Sequence, residues 1–284
     1  METLIWGILY IVLAPILGGL LAGIDRIITA RMQRRVGPPL LQPFYDVLKL
    51  FGKDNFEVNR LQFPFMLCHL FFVVYTGAVF FINGDLLLMI FALTVSASFL
   101  VLAAYTANSP YSFVGAQREL VLILAAEPVL ILAAAGIYKM TGSFHLYTAA
   151  STGIPLIQYL PGLFICMFYI LTIKLRKSPF DISVSHHAHQ EIVKGLSTDL
   201  SGRTLAILEV AHWYENMFLL GFIFMFFAFN PALGVAVTLL AYLAEIAVDN
   251  SSARLRWQWT LVSTWLITLV FGGGNLIVLY MAGK

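Results

Sequence analysis

Eight apolar runs, each about 20 residues long, restrict what this sequence can fold into. Runs of this length cross a hydrocarbon core of about 30 Å as helices, which pair their backbone polar groups within the segment. Only 11% of the 284 residues are charged, against roughly 25% in soluble domains. The sequence therefore predicts an all-α polytopic membrane protein, a single integral membrane domain over 1–284, with about eight spans at 4–23, 62–83, 86–107, 113–138, 156–175, 205–229, 232–248 and 259–281.

The lysines and arginines are distributed unevenly among the segments that join these runs. All but two of the 17 belong to the connections after the first, third, fifth and seventh runs, whereas Lys139 and Lys284 lie on the opposite side. Because basic loops are retained in the cytoplasm, both termini are predicted to face the outer side of the membrane.

The first cytoplasmic loop is predicted to contain a helix of a different kind. Gly37, Pro38 and Pro39 interrupt any helix that precedes them. Between residues 40 and 51 the apolar side chains favour one side of a helix, which is typical of an amphipathic segment that lies along the membrane interface.

The two cysteines exclude one class of function for this chain. Cys68 and Cys166 lie singly in apolar runs and form no Cys-x-x-Cys pair, so the chain alone is expected to hold neither an iron–sulfur cluster nor a zinc ribbon. Any electron chemistry is therefore expected in partner subunits. The sequence also lacks the basic and aromatic pattern of a nucleic-acid-binding protein.

Ionisable residues inside the apolar runs are the informative exceptions. A carboxylate is costly within a bilayer, so it usually faces a bundle interior or a wet cavity and often marks an ion path. We therefore predict a proton or ion path that includes Glu119, Glu127, Glu209, His212, Glu215 and Glu245. The alternative is that these carboxylates are structural and are neutralised by neighbouring helices.

The spacing of these residues supports a shared path. Glu119 and Glu127 lie about 80° apart around the fourth predicted helix, and Glu209, His212 and Glu215 follow i, i+3, i+6 spacing along one helical face. Glu209 and His212 also match a Glu-x-x-His metal motif, but the second pair on a facing helix is missing, so no metal is expected.

The stretch "SPFDISVSHHAHQEIVKG" at 178–195 concentrates titratable side chains in a cytoplasmic loop. It could be a metal site, a proton path or a docking element. His187, His189 and Glu191 offer metal ligands, but the rigid strand or facing ligands that a closed site needs are missing. We expect this loop to dock a partner and to couple to proton movement.

Four segments carry a family resemblance: "RRVGPPLLQPFYDVLKL", "GAQRELVLILAAEPVL", "SPFD" and "HQEIVKGLSTDLSG". In order and over nearly the whole chain, they resemble the membrane subunit that borders the quinone cavity of respiratory complex I, and its relatives in membrane-bound [NiFe] hydrogenases. The histidines of the 178–195 loop replace a run of glutamates found in complex I. Together with "AHWYE" and "DNSSARLRW", they are most similar to the corresponding membrane subunit of the Ech-type energy-converting hydrogenases.

The resemblance implies roles for individual residues. Arg118 and Glu127 match the Arg and Glu of the family's fourth-span motif, and His212 stands near a carboxylate of complex I. Asp25 stands where the family often has Glu, and Asp181 matches the Asp of Pro-Phe-Asp. Glu191 matches a Glu of the acidic loop, and Asp199 matches the acid before Ser-Gly. Residues of the first cytoplasmic loop are expected to dock the peripheral arm: Arg31, Arg34, Arg35, Gln42, Pro43 and Asp46.

The resemblance also implies an assembly in the lipid bilayer of a prokaryotic plasma membrane. In it, ferredoxin donates electrons and protons are reduced at a [NiFe] centre. The partners are the large and small [NiFe] hydrogenase subunits, a ferredoxin-like iron–sulfur subunit and an antiporter-like membrane subunit. This chain would bind no cofactor and would couple the redox reaction to movement of H+ or Na+.

Three other interpretations remain open at the level of sequence. The first is a complex I subunit that lines a quinone cavity. The second is a stand-alone secondary transporter, in which the buried polar residues bind substrate. The third is a membrane anchor in which every polar residue is structural.

Overall fold

The computed structural model describes residues 2–54, 59–145, 153, 155–180, 183 and 194–282, and their regular structure is helical throughout. A short 3-10 turn spans Gly195–Ser197 and a π-helical segment spans Thr268–Gly273. The α-helices are α1 (Glu2–Met32), α2 (Gln42–Phe51), α3 (Gln62–Phe81), α4 (Leu86–Tyr105), α5 (Pro110–Thr141), α6 (Leu156–Tyr159), α7 (Pro161–Lys174), α8 (Gly202–Met225), α9 (Pro231–Ser251), α10 (Trp257–Ile267) and α11 (Gly274–Met281).

The prediction of an all-α polytopic membrane protein is confirmed. Among the described residues, six helical stretches are long and apolar enough to cross a membrane. They correspond to α1, α3, α4, α5, α9 and the continuous stretch from α10 to α11. The two remaining predicted spans coincide with α7, which has only 14 residues, and with α8, which has 24 residues and carries Glu209 and Glu215.

The helices differ from several of the predicted runs, and three of these differences bear on the fold. Helix α1 continues to Met32, so Arg26 and Arg31 lie on a helix rather than in a loop. Helix α5 begins and ends three residues beyond the predicted run because Pro110 occupies its first turn and Gly142 ends it in the left-handed conformation. The fifth predicted span is broken at Leu160, between α6 and α7.

The break between α6 and α7 leaves backbone groups that an unbroken helix would pair. The Asn275 side chain replaces those bonds: its Nδ2 donates to the Tyr159 carbonyl at 3.1 Å and its Oδ1 accepts from the Leu163 N–H at 3.4 Å. Gly162 allows this approach, since a Cβ there would lie 2.3 Å from the Phe271 carbonyl oxygen. Such side-chain partners are what make a broken helix tolerable in an apolar bundle.

Helix α8 is central, packing against α1, α2, α3, α7 and α9. Phe218, Phe222 and Phe226 recur every four residues, so they line one face of α8 and are almost fully buried. Phe80 of α3 packs edge-on against Phe218 with ring centroids 5.5 Å apart. This aromatic layer closes one half of the bundle and leaves the polar residues of α8 in the other half.

Helix α2 is present where the sequence predicts an amphipathic helix, although it begins at Gln42 rather than at residue 40. Pro43 and Val47 are buried, whereas Tyr45 and Leu48 are exposed. Phe44 packs on Trp213 of α8 with ring centroids 5.1 Å apart. One side of α2 therefore faces the bundle and the other faces outward.

Candidate functional site

A cleft of about 750 Å³ opens between the C-terminal part of α1, the segment after α7 and the end of α9. We call it the polar cleft because charged side chains from all of these elements line it. Those side chains are Asp25, Arg26, Arg35, Arg176, Lys177, Asp249 and Arg254.

Lys177 links three elements at this cleft. Its ammonium forms ion pairs with Asp25 of α1 and with Asp249 of α9, the latter at 3.3 Å between Nζ and Oδ2. The other oxygen of Asp249 accepts the Ser178 N–H at 2.9 Å, and Thr29 donates to Asp25 at 3.3 Å. Lys177 is only 8% exposed, so the two carboxylates compensate its ammonium for the water that is lost on burial.

Arg176 forms a second buried ion pair, directed towards α5. Its Nη2 lies 3.1 Å from Oε1 of Glu119, and both side chains are almost fully buried. Arg176 and Glu119 line a small cavity of about 10 Å³, with space for about one water molecule, together with Glu215 of α8; we call it the inner cavity. Glu119 and Glu215, predicted from the sequence to share a path, are therefore brought to one cavity.

Glu245 lies deeper, on α9. It is fully buried, and its Oε1 accepts the Thr172 hydroxyl of α7 at 3.1 Å. Its Oε2 has no hydrogen-bond partner within the described part of the chain. A buried carboxyl with one neutral donor remains a candidate for the predicted ion path.

Asp199 connects the loop before α8 to the helix bundle. Its carboxylate accepts the hydroxyl of the buried Ser112 of α5, and its carbonyl accepts the Gln62 side chain of α3 at 3.3 Å. The Gly195–Ser197 turn packs tightly on α5, because a Cβ on Gly115 would lie 2.2 Å from the Leu196 nitrogen. The end of the 178–195 stretch is thereby attached to the helix that carries Glu119 and Glu127.

The family model described as NADH dehydrogenase matches residues 5–280. The chain belongs to this family. It is a membrane subunit related to the corresponding membrane subunit of complex I. Hydrogenase-4 component C of Escherichia coli (strain K12) is 31% identical, with 87% of each chain covered, and formate hydrogenlyase subunit 4 of the same organism is 27% identical over 87% of this chain and 89% of the relative.

A solved structure of the membrane-bound sulfane sulfur reductase, an archaeal respiratory membrane complex, contains a chain with the same fold. The TM-score is 0.85 at 25% identity, and the match covers 98% of this chain and 100% of the other. Together, this structural match and the hydrogenase relatives show that the chain is part of a multisubunit membrane complex related to complex I, of the hydrogenase or oxidoreductase kind.

Other residues that the sequence predicts for the proton or ion path lie outside the two ion-pair clusters. Glu127 is half-buried on α5, and its buried Oε1 has no hydrogen-bond partner among the residues described. Glu209 and His212 are half-buried on α8, and Arg118 is half-buried on α5. Four further predicted residues, Asp181, His187, His189 and Glu191, lie outside the described residues.

The predicted docking residues do not share one environment. Arg31, Arg34 and Arg35 are exposed, whereas Pro43 is buried in the first turn of α2. The remaining two form a local network, in which Gln42 donates to Asp46 at 2.8 Å and Arg26 of α1 pairs with the same carboxylate. Burial alone would raise the pKa of Asp46, but hydrogen bonds from Arg26 and Gln42 outweigh it and lower that pKa.

Sequence reasoning missed the residues that organise this site. Arg176 and Lys177 counted only as loop charges that set topology, although two adjacent cations directly after an apolar run could have indicated buried acidic partners. His69 was also missed: it is fully buried in α3 and shares a hydrogen bond of 2.8 Å with Ser96 of α4. A single histidine inside an apolar run was the available signal.

Proposed function

We propose that this chain is the membrane-anchoring and energy-coupling subunit of a ferredoxin-dependent, ion-translocating [NiFe] hydrogenase complex of the Ech type. The redox reaction would take place in a peripheral arm formed by the large and small hydrogenase subunits and a ferredoxin-like iron–sulfur subunit. This subunit would link that reaction to H+ or Na+ movement by an antiporter-like membrane neighbour. The similarity to Hydrogenase-4 component C supports the hydrogenase branch.

One observation carries the proposal: charged groups continue from the polar cleft into the helix bundle. Lys177 holds Asp25 and Asp249 at the cleft, and the adjacent Arg176 holds Glu119 in the bundle. Buried charges in a membrane bundle are costly, and a purely structural role would be better served by apolar packing. A succession of such groups over several helices favours an ion path over an inert anchor.

The membrane topology that we propose has eight spans with both termini on the outer side of a prokaryotic plasma membrane. Helices α7 and α8 would supply the two spans beyond the six apolar stretches. Glu215 is only 8% exposed, so α8 can cross with its acids facing protein instead of lipid. The 14 residues of α7 are about 21 Å long, and α6 adds length on the same crossing.

The test is the number of ions moved per electron pair in inside-out vesicles that contain the whole complex and are supplied with reduced ferredoxin. We expect Glu245→Gln, which keeps the shape of a fully buried side chain, to lower this ratio sharply. Asp85→Asn is the matched control, because Asp85 caps α4 through the Leu87 and Leu88 N–H groups and Asn caps a helix equally well. An unchanged ratio in Glu245→Gln would contradict the proposal.

The size of the polar cleft favours a second candidate, a complex I-like subunit that lines a quinone cavity. At about 750 Å³ the cleft falls within the usual range of ligand sites. Leu175 and Tyr242 supply apolar surface for such a ligand, but five cations and two carboxylates also line the space, and this charge suits a quinone ring poorly. Titration of the purified complex with a short-chain quinone decides between them, since saturable binding would favour the quinone cavity.

A further inference from the structure

Arg176 occupies a position shared by no other charged residue of the two ion-pair clusters. Arg176 lines the polar cleft and also the inner cavity, which Glu119 and Glu215 line as well. Of these two spaces, Lys177 borders the cleft and Lys174 borders the inner cavity. Arg176 therefore forms part of the wall between the two spaces.

The ion pair in this wall is incomplete. Within the described part of the chain, only one guanidinium nitrogen, Nη2, meets a carboxylate oxygen, Oε1 of Glu119. The buried Nη1 of Arg176 and the buried Oε2 of Glu119 have no hydrogen-bond partner among the described residues. Unpaired groups of this kind normally hold water, so the inner cavity has the polar atoms that an ordered water needs.

The residues that follow Arg176 are bonded to α1 and α9, whereas the Arg176 side chain has one polar contact among the described residues, with Glu119. Lys177 is fixed by carboxylates of α1 and α9, and the Ser178 N–H is bonded to Asp249. Arg176 itself adopts a left-handed backbone conformation with φ of 54°, directly after α7 ends. Movement of its guanidinium would thus break one contact and leave the Lys177 cluster intact.

We propose that Arg176 is a gate between the polar cleft and the inner cavity, and that its withdrawal from Glu119 admits water and a proton. With the gate closed, the guanidinium stabilises Glu119 as a carboxylate. With the gate open, the guanidinium stays charged in the cleft and Glu119 takes one proton delivered from bulk solution through the cleft. On closing, that proton passes to Glu215, and Glu119 pairs with Arg176 again as a carboxylate. This role rests on the proposed ion-path function.

Several charged groups besides Arg176 lie near Glu119. Lys174 of α7 and Glu215 of α8 line the same cavity. His69 of α3 is close enough for electrostatic interaction with both Glu119 and Arg176, and Arg118 precedes Glu119 on α5. Removing the Arg176 charge leaves Lys174 as the cation that lines the inner cavity.

Thiol labelling of the whole complex tests the gate without relying on ion movement. Ile123 is buried and lines the inner cavity but not the cleft, so Ile123→Cys is the reporter, in a background where Cys68 and Cys166 are replaced by Ala. The probe is a small, water-soluble cationic methanethiosulfonate. We expect Arg176→Ala to speed labelling about tenfold by opening access to the thiol, and Lys174→Ala to leave the labelling rate nearly unchanged.

Two controls keep the result interpretable. Arg176→Lys retains a cation but lacks the planar fork, so its labelling rate should fall between those of Arg176 and Arg176→Ala. Co-purification of the partner subunits with each variant shows that the complex is assembled. Equal labelling rates with Arg176 and with Arg176→Ala would overturn the gate.

Failure of the gate and failure of the ion-path function give different results. If Arg176→Ala speeds labelling but the ions moved per electron pair stay normal in Glu245→Gln, the gate stands and the ion-path function is wrong. If labelling is already fast with Arg176 in place, the gate is wrong whatever the vesicles show.

Discussion

Replacement of Lys177 by Met tests whether the charges around the polar cleft depend on one another. The substitution keeps most of the side-chain volume and removes the single cation that pairs with both Asp25 and Asp249. Two partly buried carboxylates are then left facing each other across the cleft. We therefore expect a loss of stability that a merely exposed lysine would not cause.

The structure sets the size of this effect. Removing one partner of a buried ion pair costs about 3–5 kcal/mol. The Asp25 and Asp249 side chains are 21% and 28% exposed, so water offsets part of the loss and we expect about 2–3 kcal/mol instead. At roughly 2 °C for each kcal/mol in a chain of this size, the unfolding midpoint should fall by about 4–6 °C.

The assay is thermal unfolding of the purified complex, followed by loss of the assembled peak in size-exclusion chromatography. Lys53→Met is the matched control, since Lys53 is exposed. Adding Asp25→Asn and Asp249→Asn to Lys177→Met should restore much of the midpoint, because neutral amides no longer repel each other. If Lys177→Met behaves like the Lys53 control, or if the amides bring no recovery, the reasoning about this cluster is refuted.

Three further predictions concern the elements that hold the site. Gly115→Ala places a Cβ 2.2 Å from a backbone nitrogen of the Gly195–Ser197 turn, so it should lower the free energy of unfolding by about 2 kcal/mol. Thermal unfolding measures this loss. Gly52→Ala, whose added Cβ would have its nearest atom 3.7 Å away, should leave the midpoint unchanged. Asn275→Leu should cost about 1–2 kcal/mol by leaving backbone groups at the α6–α7 break unpaired, and a midpoint equal to that of the native complex would contradict this. Because the pKa of Asp46 is lowered in the folded chain, its contribution to docking of α2 is fully present above the ordinary Asp value of about 4 and is lost as the pH falls below that value and through the lowered pKa of the folded chain. Protease cleavage within the first loop should therefore increase at acidic pH, and Asp46→Asn should cleave readily with little pH dependence.

The helices were predictable because a hydrocarbon environment allows few alternatives. An apolar run that did not form a helix would leave its backbone N–H and C=O groups without hydrogen bonds. Each of the eight runs contains a described helix. The break in the fifth run was not predicted, although Pro161 and Gly162 interrupt it in the sequence. Its stability depends on Asn275, more than 110 residues later in the chain, and no local pattern reports such a partner.

The candidate site was predictable only in part, because its side chains are held by partners that lie far away in the sequence. Single carboxylates inside apolar runs singled out Glu119 and Glu215, which line the same cavity, while their role in an ion path stays a prediction. The ion-pair partners could not be read from spacing, because Lys177 and Asp25 are separated by 152 positions in the chain. Loop cations near a membrane have a sufficient explanation in topology, so the adjacency of Arg176 and Lys177 after an apolar run was a weak signal that did not identify their partners.

The Asn275 amide also has a mechanical consequence. It fixes the first turn of α7 to the C-terminal helix, and the last turn of α7 leads directly into Arg176 and Lys177. Helix α7 is about 21 Å long and is bonded to α11 near one end, while two ion pairs follow its other end. A force that a neighbouring subunit applied to the C-terminal helix would therefore act on α7 and on the buried core around Met167 and Ile170, and through α7 on the two cations.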